Sequence, residues 1–174
     1  MSRVLRPGAY LALLLPTAVA AVVTSLFAPD QTYRRWMRLI AVKQGAARRG
    51  PRVGTRGRLL GHAVASVFVG LVGWVLLAMI GLMIARGALY GVVDRGPYDN
   101  AWGGPSRAGA WLTHFAISVP IAAVAVVLVV GVANLHLRMT RPLHGEAMPR
   151  WTVPVVLVMC GAASLFLVGW VQQI

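Results

Sequence analysis

WTVPVVLVMCGAASLFLVGWV, residues 151–171, contains no charged side chain and carries a tryptophan at or near each end, Trp151 and Trp170. As a helix, the stretch between these two rings would rise by about 28 Å at 1.5 Å per residue, close to the separation of the aromatic belts of a bilayer. Peptide groups in lipid must bond within their own segment or within a closed barrel. The segment therefore reads as a membrane-spanning helix.

Working outward, the same reading applies to residues 108–135, 59–85 and 8–28, each long enough for the ~20 residues a span requires. Composition agrees. Of the 174 residues 58% are apolar and 12% charged, against about 45–50% and 25% in soluble domains. The expected fold is an all-α integral membrane protein, a single four-helix transmembrane domain over residues 1–174.

The charges orient it. Seventeen basic residues face four acidic ones, and they fall between the apolar runs. The loop 30–58 carries nine of them, Arg34, Arg35, Arg38, Lys43, Arg48, Arg49, Arg52, Arg56 and Arg58, and the loop 136–150 adds Arg138, Arg141 and Arg150. The positive-inside rule places both loops in the cytoplasm and both termini outside. Cleavage of the first run as a leader would export the nine-charge loop, so that run is read as a span. Topology accounts for the net charge of +13, and no nucleic-acid partner is expected. All but one of the basic residues are Arg, the codon habit of a GC-rich bacterial genome. The expected location is the bacterial cytoplasmic membrane, multi-pass.

Within the inner loop, Tyr33, Trp36, Met37 and Ile40 recur at helical spacing opposite Arg34, Arg35 and Arg38, predicting a short interfacial helix. Residues 45–57 are Gly-, Pro- and Arg-rich connector. Arg34, Arg35, Trp36, Arg38, Arg48, Arg49 and Arg52 are the expected contacts to anionic headgroups, at about 1 kcal/mol per basic residue near the surface, or to a cytosolic protein.

His62, Ser66, Gly70, Gly73 and Gly81 form a small and polar stripe on the second span. Ala110, His114, Ser118, Ala122 and Ala125 do so on the third, and the two stripes are expected to face each other. His62 and His136, both at the inner end, could come within reach across the helix pair. One imidazole pair lacks the repeated spacing of a diheme bundle, so interfacial hydrogen bonding is the expectation, with no cofactor or metal. Cys160 is alone, which excludes an intramolecular disulfide.

The outer loop, residues 86–107, gathers turn formers, aromatics and both charge signs. Gly96-Pro97 and Gly103-Gly104-Pro105 fold it back, and Tyr98, Trp102 and Trp111 suit the headgroup level. A compact lid is expected. Asp94, Tyr98, Asp99, Asn100, Trp102, Arg107, Trp111 and His114 are its candidate partner- or ligand-binding residues, with Asp94, Arg95, Asp99 and Arg107 able to form an ion-paired core. No nucleophile-and-base spacing or phosphate cradle is present, so no catalytic residue is assigned.

The run Asp99-Asn100-Ala101-Trp102-Gly103-Gly104-Pro105-Ser106-Arg107-Ala108-Gly109-Ala110-Trp111, followed by His114, resembles a segment in the four-helix membrane regions of bacterial sensor-domain proteins of the high-GC Gram-positive type. Such regions commonly precede a histidine-kinase module, whereas this sequence ends at Ile174 without one. The resemblance implies a sensing role exerted through a separate partner. The leading expectation is thus a non-enzymatic sensor, scaffold or accessory subunit with a membrane or cytosolic protein partner, and with homo-oligomers permitted by the small-residue faces. A small transporter or channel component using Asp94, Asp99 and His114 is the alternative, and an intramembrane enzyme subunit ranks third.

Overall fold

The computed structural model describes residues 5–44, 56–144 and 146–172, with side chains at 6–40, 56–143 and 146–172. Arg48, Arg49 and Arg52 lie outside the described residues. Among the described residues every regular element is helical: α1 (Leu5–Phe27), α2 (Pro29–Gln44), α3 (Arg56–Met83) closing in a π-helical turn (Ile84–Ala88), the short α4 (Tyr90–Val93), α5 (Arg107–Met139), a 3₁₀ turn (Arg141–His144) and α6 (Thr152–Val171). Four of these segments are long and apolar enough to cross a membrane: Arg6–Phe27, Arg56–Ala88, Arg107–Leu143 and Thr152–Val171.

The chain forms two compact units, one of Met1–Trp74 with Val130–Ile174 and one of Val75–Val129. In the first, α1 ends where Pro29 disfavours helical backbone at the residue before it. The side chain of Thr24 hydrogen-bonds that of Thr32 at 2.7 Å, fastening α1 to α2 across this turn. Asp30 in the first turn of α2 complements the helix dipole.

Thr32, Trp36, Leu39 and Ile40 are buried along one face of α2, and Tyr10, Leu11, Leu14, Ala18 and Ala21 along one face of α1. Trp36 is 0% exposed, which corrects its expected role as a lipid or partner contact: its ring is spent inside the protein. Arg34 and Arg38 are exposed and Arg35 half-buried on the same helix.

The small residues of α3 also find a different neighbour from the one expected. A Cβ at Gly70 would stand 2.9 Å from the Leu15 Cα, and one at Gly73 would stand 3.2 Å from the Leu11 Cβ. The Trp74 indole donates to the Ala12 carbonyl at 3.2 Å. This part of the stripe thus receives α1 rather than α5, because only glycine lets the two backbones approach this closely. Gly81 has nothing within 4 Å of its would-be Cβ.

Leu11 meets Gly73 and Leu15 meets Gly70, so α1 runs antiparallel to α3.

Candidate functional site

At the arginine-rich end of α3 and α5, a polar cluster is built from four helices. His136 is 0% exposed. Its Nδ1 lies 2.6 Å from the Tyr10 hydroxyl and its Nε2 2.8 Å from the Ser66 Oγ. Ser66 in turn donates to the His62 carbonyl one turn back, at 2.6 Å. A carbonyl only accepts, so the single Ser66 proton is committed there. His136 must then donate from Nε2 to Ser66 and accept at Nδ1 from Tyr10. One backbone oxygen thereby sets the direction of the whole chain of bonds.

Around it the rings pack closely. Trp36 meets His62 edge-on at 4.7 Å between centroids, and His62 lies 5.3 Å from His136. The expectation that these two imidazoles could come within reach holds in the geometry. Tyr10 and Trp36 complete the cluster, and neither was tied to the histidines by sequence spacing. Among the described residues no three His, Cys, Asp or Glu side chains gather as a metal site.

Next to this cluster lies a cavity of about 740 Å³ between α3, the end of α5 with its following turn, and α6. Arg58, His62, Glu146 and Thr152 supply its polar lining, and Ala65, Leu143, Val153, Val156 and Leu157 are among its apolar walls. Thr152 is 0% exposed and its Oγ1 has no hydrogen-bond partner among the described residues. Sequence reading missed this site, since Arg58 is one of many loop arginines and Thr152 opens an apolar span without a motif.

In the other unit, the lid is held largely by side chains bonded to main chain. The Arg107 guanidinium donates to the Gly91 carbonyl through Nε, at 2.8 Å, and through Nη2. Trp111 Nε1 donates to the Ala88 carbonyl at 3.0 Å, and the Tyr98 hydroxyl to the Asp94 carbonyl at 2.7 Å. The Asp94 carboxylate accepts from the Gly96 amide at 3.0 Å. That bond, with the Tyr90 hydroxyl as a second donor, holds its carboxyl below the usual carboxylate range. Burial raises the Tyr90 phenol, and hydrogen bonding to Asp94 adds to the rise.

His114 stacks on Tyr90 at 3.7 Å with 7° between the rings and donates from Nδ1 to the Ala110 carbonyl at 2.7 Å. Ser66, Gly70, Gly73 and Ser118 are buried, while His62 and Ala122 are partly exposed. The turns work as their composition predicts: Gly96, Gly103 and Gly104 have φ of +85°, +102° and +93°, a region that favours glycine.

Among the described residues no ion pair joins the lid's acidic and basic side chains; the salt bridge that does form is Arg141 to Glu146, 3.9 Å apart. The expected ion-paired core is therefore replaced by bonds to backbone, because Arg107 reaches a carbonyl first. Asp99, Asn100 and Trp102 remain exposed at the tip, Trp102 by 72%.

What fold and sites define together is an all-helical protein with four helices able by length and composition to cross a membrane. The chain matches no known protein family, and no functionally described protein or solved structure is significantly similar to it.

Proposed function

We propose that the protein is a non-enzymatic, multi-pass component of a bacterial cytoplasmic membrane, acting as a sensor, scaffold or accessory subunit whose outer lid meets a protein partner. The observation that carries this reading is Trp102, 72% exposed beside exposed Asp99 and Asn100, on a loop whose neighbouring polar groups are bonded internally. An exposed tryptophan close in sequence to exposed polar residues on a turn-stabilised loop has the character of an interface hot spot. The resemblance of residues 99–111 to sensor-domain membrane regions supports the same reading.

In this proposal the arginine-rich end of α3 and α5 faces the cytoplasm and both termini face outward. Two facts support that placement. One is that α1 runs antiparallel to α3, Leu11 meeting Gly73 and Leu15 meeting Gly70. The other is the charge asymmetry, twelve basic residues inside against five outside. Arg34, Arg35 and Arg38 then lie where anionic headgroups or a cytosolic partner can meet them.

The test is purification of the tagged chain from its own host at native level in mild detergent, beside the double variant Asp99→Ala, Trp102→Ala. A stoichiometric protein recovered with wild type and lost from the double variant supports the reading. Recovery of the same protein with both variants removes the lid from it, and recovery of the chain alone in both removes the accessory-subunit role.

A further inference from the structure

We propose that the cavity between α3, the end of α5 and α6 is a binding site for one anionic phospholipid, with the phosphodiester at Arg58 and Thr152 and an acyl chain along the apolar walls. The inference is independent of the lid. Its volume of about 740 Å³ falls within the roughly 300–1,000 Å³ of ligand pockets.

The lining is divided in the manner of a lipid. Arg58 and Thr152 supply donors at the polar part, whereas Val153, Val156 and Leu157 present an α6 face that can only be matched by hydrocarbon. Inorganic phosphate would leave that wall unfilled, and a zwitterionic headgroup would set its own cation against Arg58.

Two observations identify the polar end as a ligand position. Among the described residues the Thr152 Oγ1 is fully buried in the lining without a hydrogen-bond partner. A buried hydroxyl left alone costs about 1–3 kcal/mol, and a phosphodiester oxygen would accept its proton.

Arg58 is exposed and has no ion pair among the described residues. The cavity's one carboxylate, Glu146, lies 3.9 Å from Arg141, which offsets its repulsion of an anion. Basic pockets between membrane helices at the cytoplasmic side are suited to anionic headgroups. Here the guanidinium supplies two parallel donors for two phosphate oxygens. Trp151, the residue before Thr152, has the Arg138 guanidinium 4.6 Å from its ring centroid, so a second cation is held near the same helix start.

The test uses the full chain, delipidated in detergent and offered phosphatidylglycerol and phosphatidylcholine of matched acyl chains, with retained lipid read by native mass spectrometry. Wild type is expected to prefer phosphatidylglycerol about tenfold, the worth of one charge-assisted contact. Arg58→Gln should bring the two lipids near parity. Arg56→Gln, which removes an equal charge from an exposed position outside the lining, should keep the preference.

Ala65→Phe, which fills the apolar part, should reduce retention of both lipids, and excess inorganic phosphate should displace neither. Parity in wild type overturns the proposal. So does an equal loss in the Arg56 and Arg58 variants, which would mean diffuse attraction. Displacement by phosphate alone would make this an anion site rather than a lipid site. Should Ala65→Phe fail to fold, the two arginine variants decide the matter.

Discussion

The His62–His136 cluster and the lid each stack an aromatic ring against histidine, yet they spend their polar groups in different ways. In the cluster, side chain bonds side chain across helices: Tyr10 to His136 and His136 to Ser66, 126 and 70 residues apart in sequence. In the lid, side chains bond the main chain: Arg107 to Gly91, Trp111 to Ala88 and Tyr98 to Asp94. The first arrangement ties separate helices into one core. The second makes a short loop rigid and leaves its tip free. Fixing an interior and presenting a surface are thus done by the same residue types, distinguished by whether the partner is a side chain or a carbonyl.

The largest break in that comparison comes from the two tryptophans. Trp36→Ala, at 0% exposure, should cost about 3–5 kcal/mol of stability, whereas Trp102→Ala, at 72%, should fall within about 0.5 kcal/mol. Reversible unfolding in mixed micelles measures both. Equal losses would mean that the lid tip is as structural as the cluster.

Next comes the hydroxyl pair. Tyr10→Phe leaves the His136 Nδ1 buried and unpaired, at about 1–3 kcal/mol. Tyr98→Phe should cost less than about 1 kcal/mol, since water can replace its bond at a half-buried position. The same unfolding series reads both, and the reverse order would mean that the buried Tyr10–His136 bond is not the costlier one to lose.

Glycine sharpens the contrast along a single helix. Gly70→Ala forces Leu15 to move and should cost about 1–3 kcal/mol. Gly81→Ala meets open space and should be neutral or slightly stabilising, since alanine favours helix by up to about 1 kcal/mol.

The smallest effect is the pH dependence of the lid. The Asp94 carboxyl is held below its ordinary range by the Gly96 amide, so its contribution is fully present above the unfolded value of about 3.9. It is lost as pH falls through the lower folded value. Protection of the Gly96 amide from exchange, taken relative to its intrinsic rate at each pH, should fall in acid, with Asp94→Asn lacking that step. An identical profile in the variant would remove Asp94 as the cause.

How far the sequence revealed this arrangement depends on the range of each interaction. The spans were legible because ~20 apolar residues have few other fates: α6 occupies Thr152–Val171 within the expected 151–171, and α3 and α5 differ from expectation chiefly in extending at their ends. The lid's turns were legible because positive φ favours glycine. The α2 helix was legible too, but Trp36 was assigned to lipid because an apolar stripe does not say whether lipid or protein will cover it. Tyr10 was missed for the same reason: a tyrosine in an apolar run acquires meaning only when His136 is placed beside it. The stripe on α3 was seen, and its partner misassigned, since small residues specify closeness without naming the neighbour.

The Tyr10–His136 bond also constrains how the protein is made. Synthesis delivers α1 first and α5 only after another hundred or so residues, and membrane helices are inserted before they associate. Until α5 arrives, Tyr10 lacks the His136 imidazole and Ser66 has no cross-helix side-chain partner. The cluster can therefore close only late, making it a checkpoint on assembly: a chain truncated before His136 should pack its first three helices around an unfilled polar centre and turn over faster than the full chain.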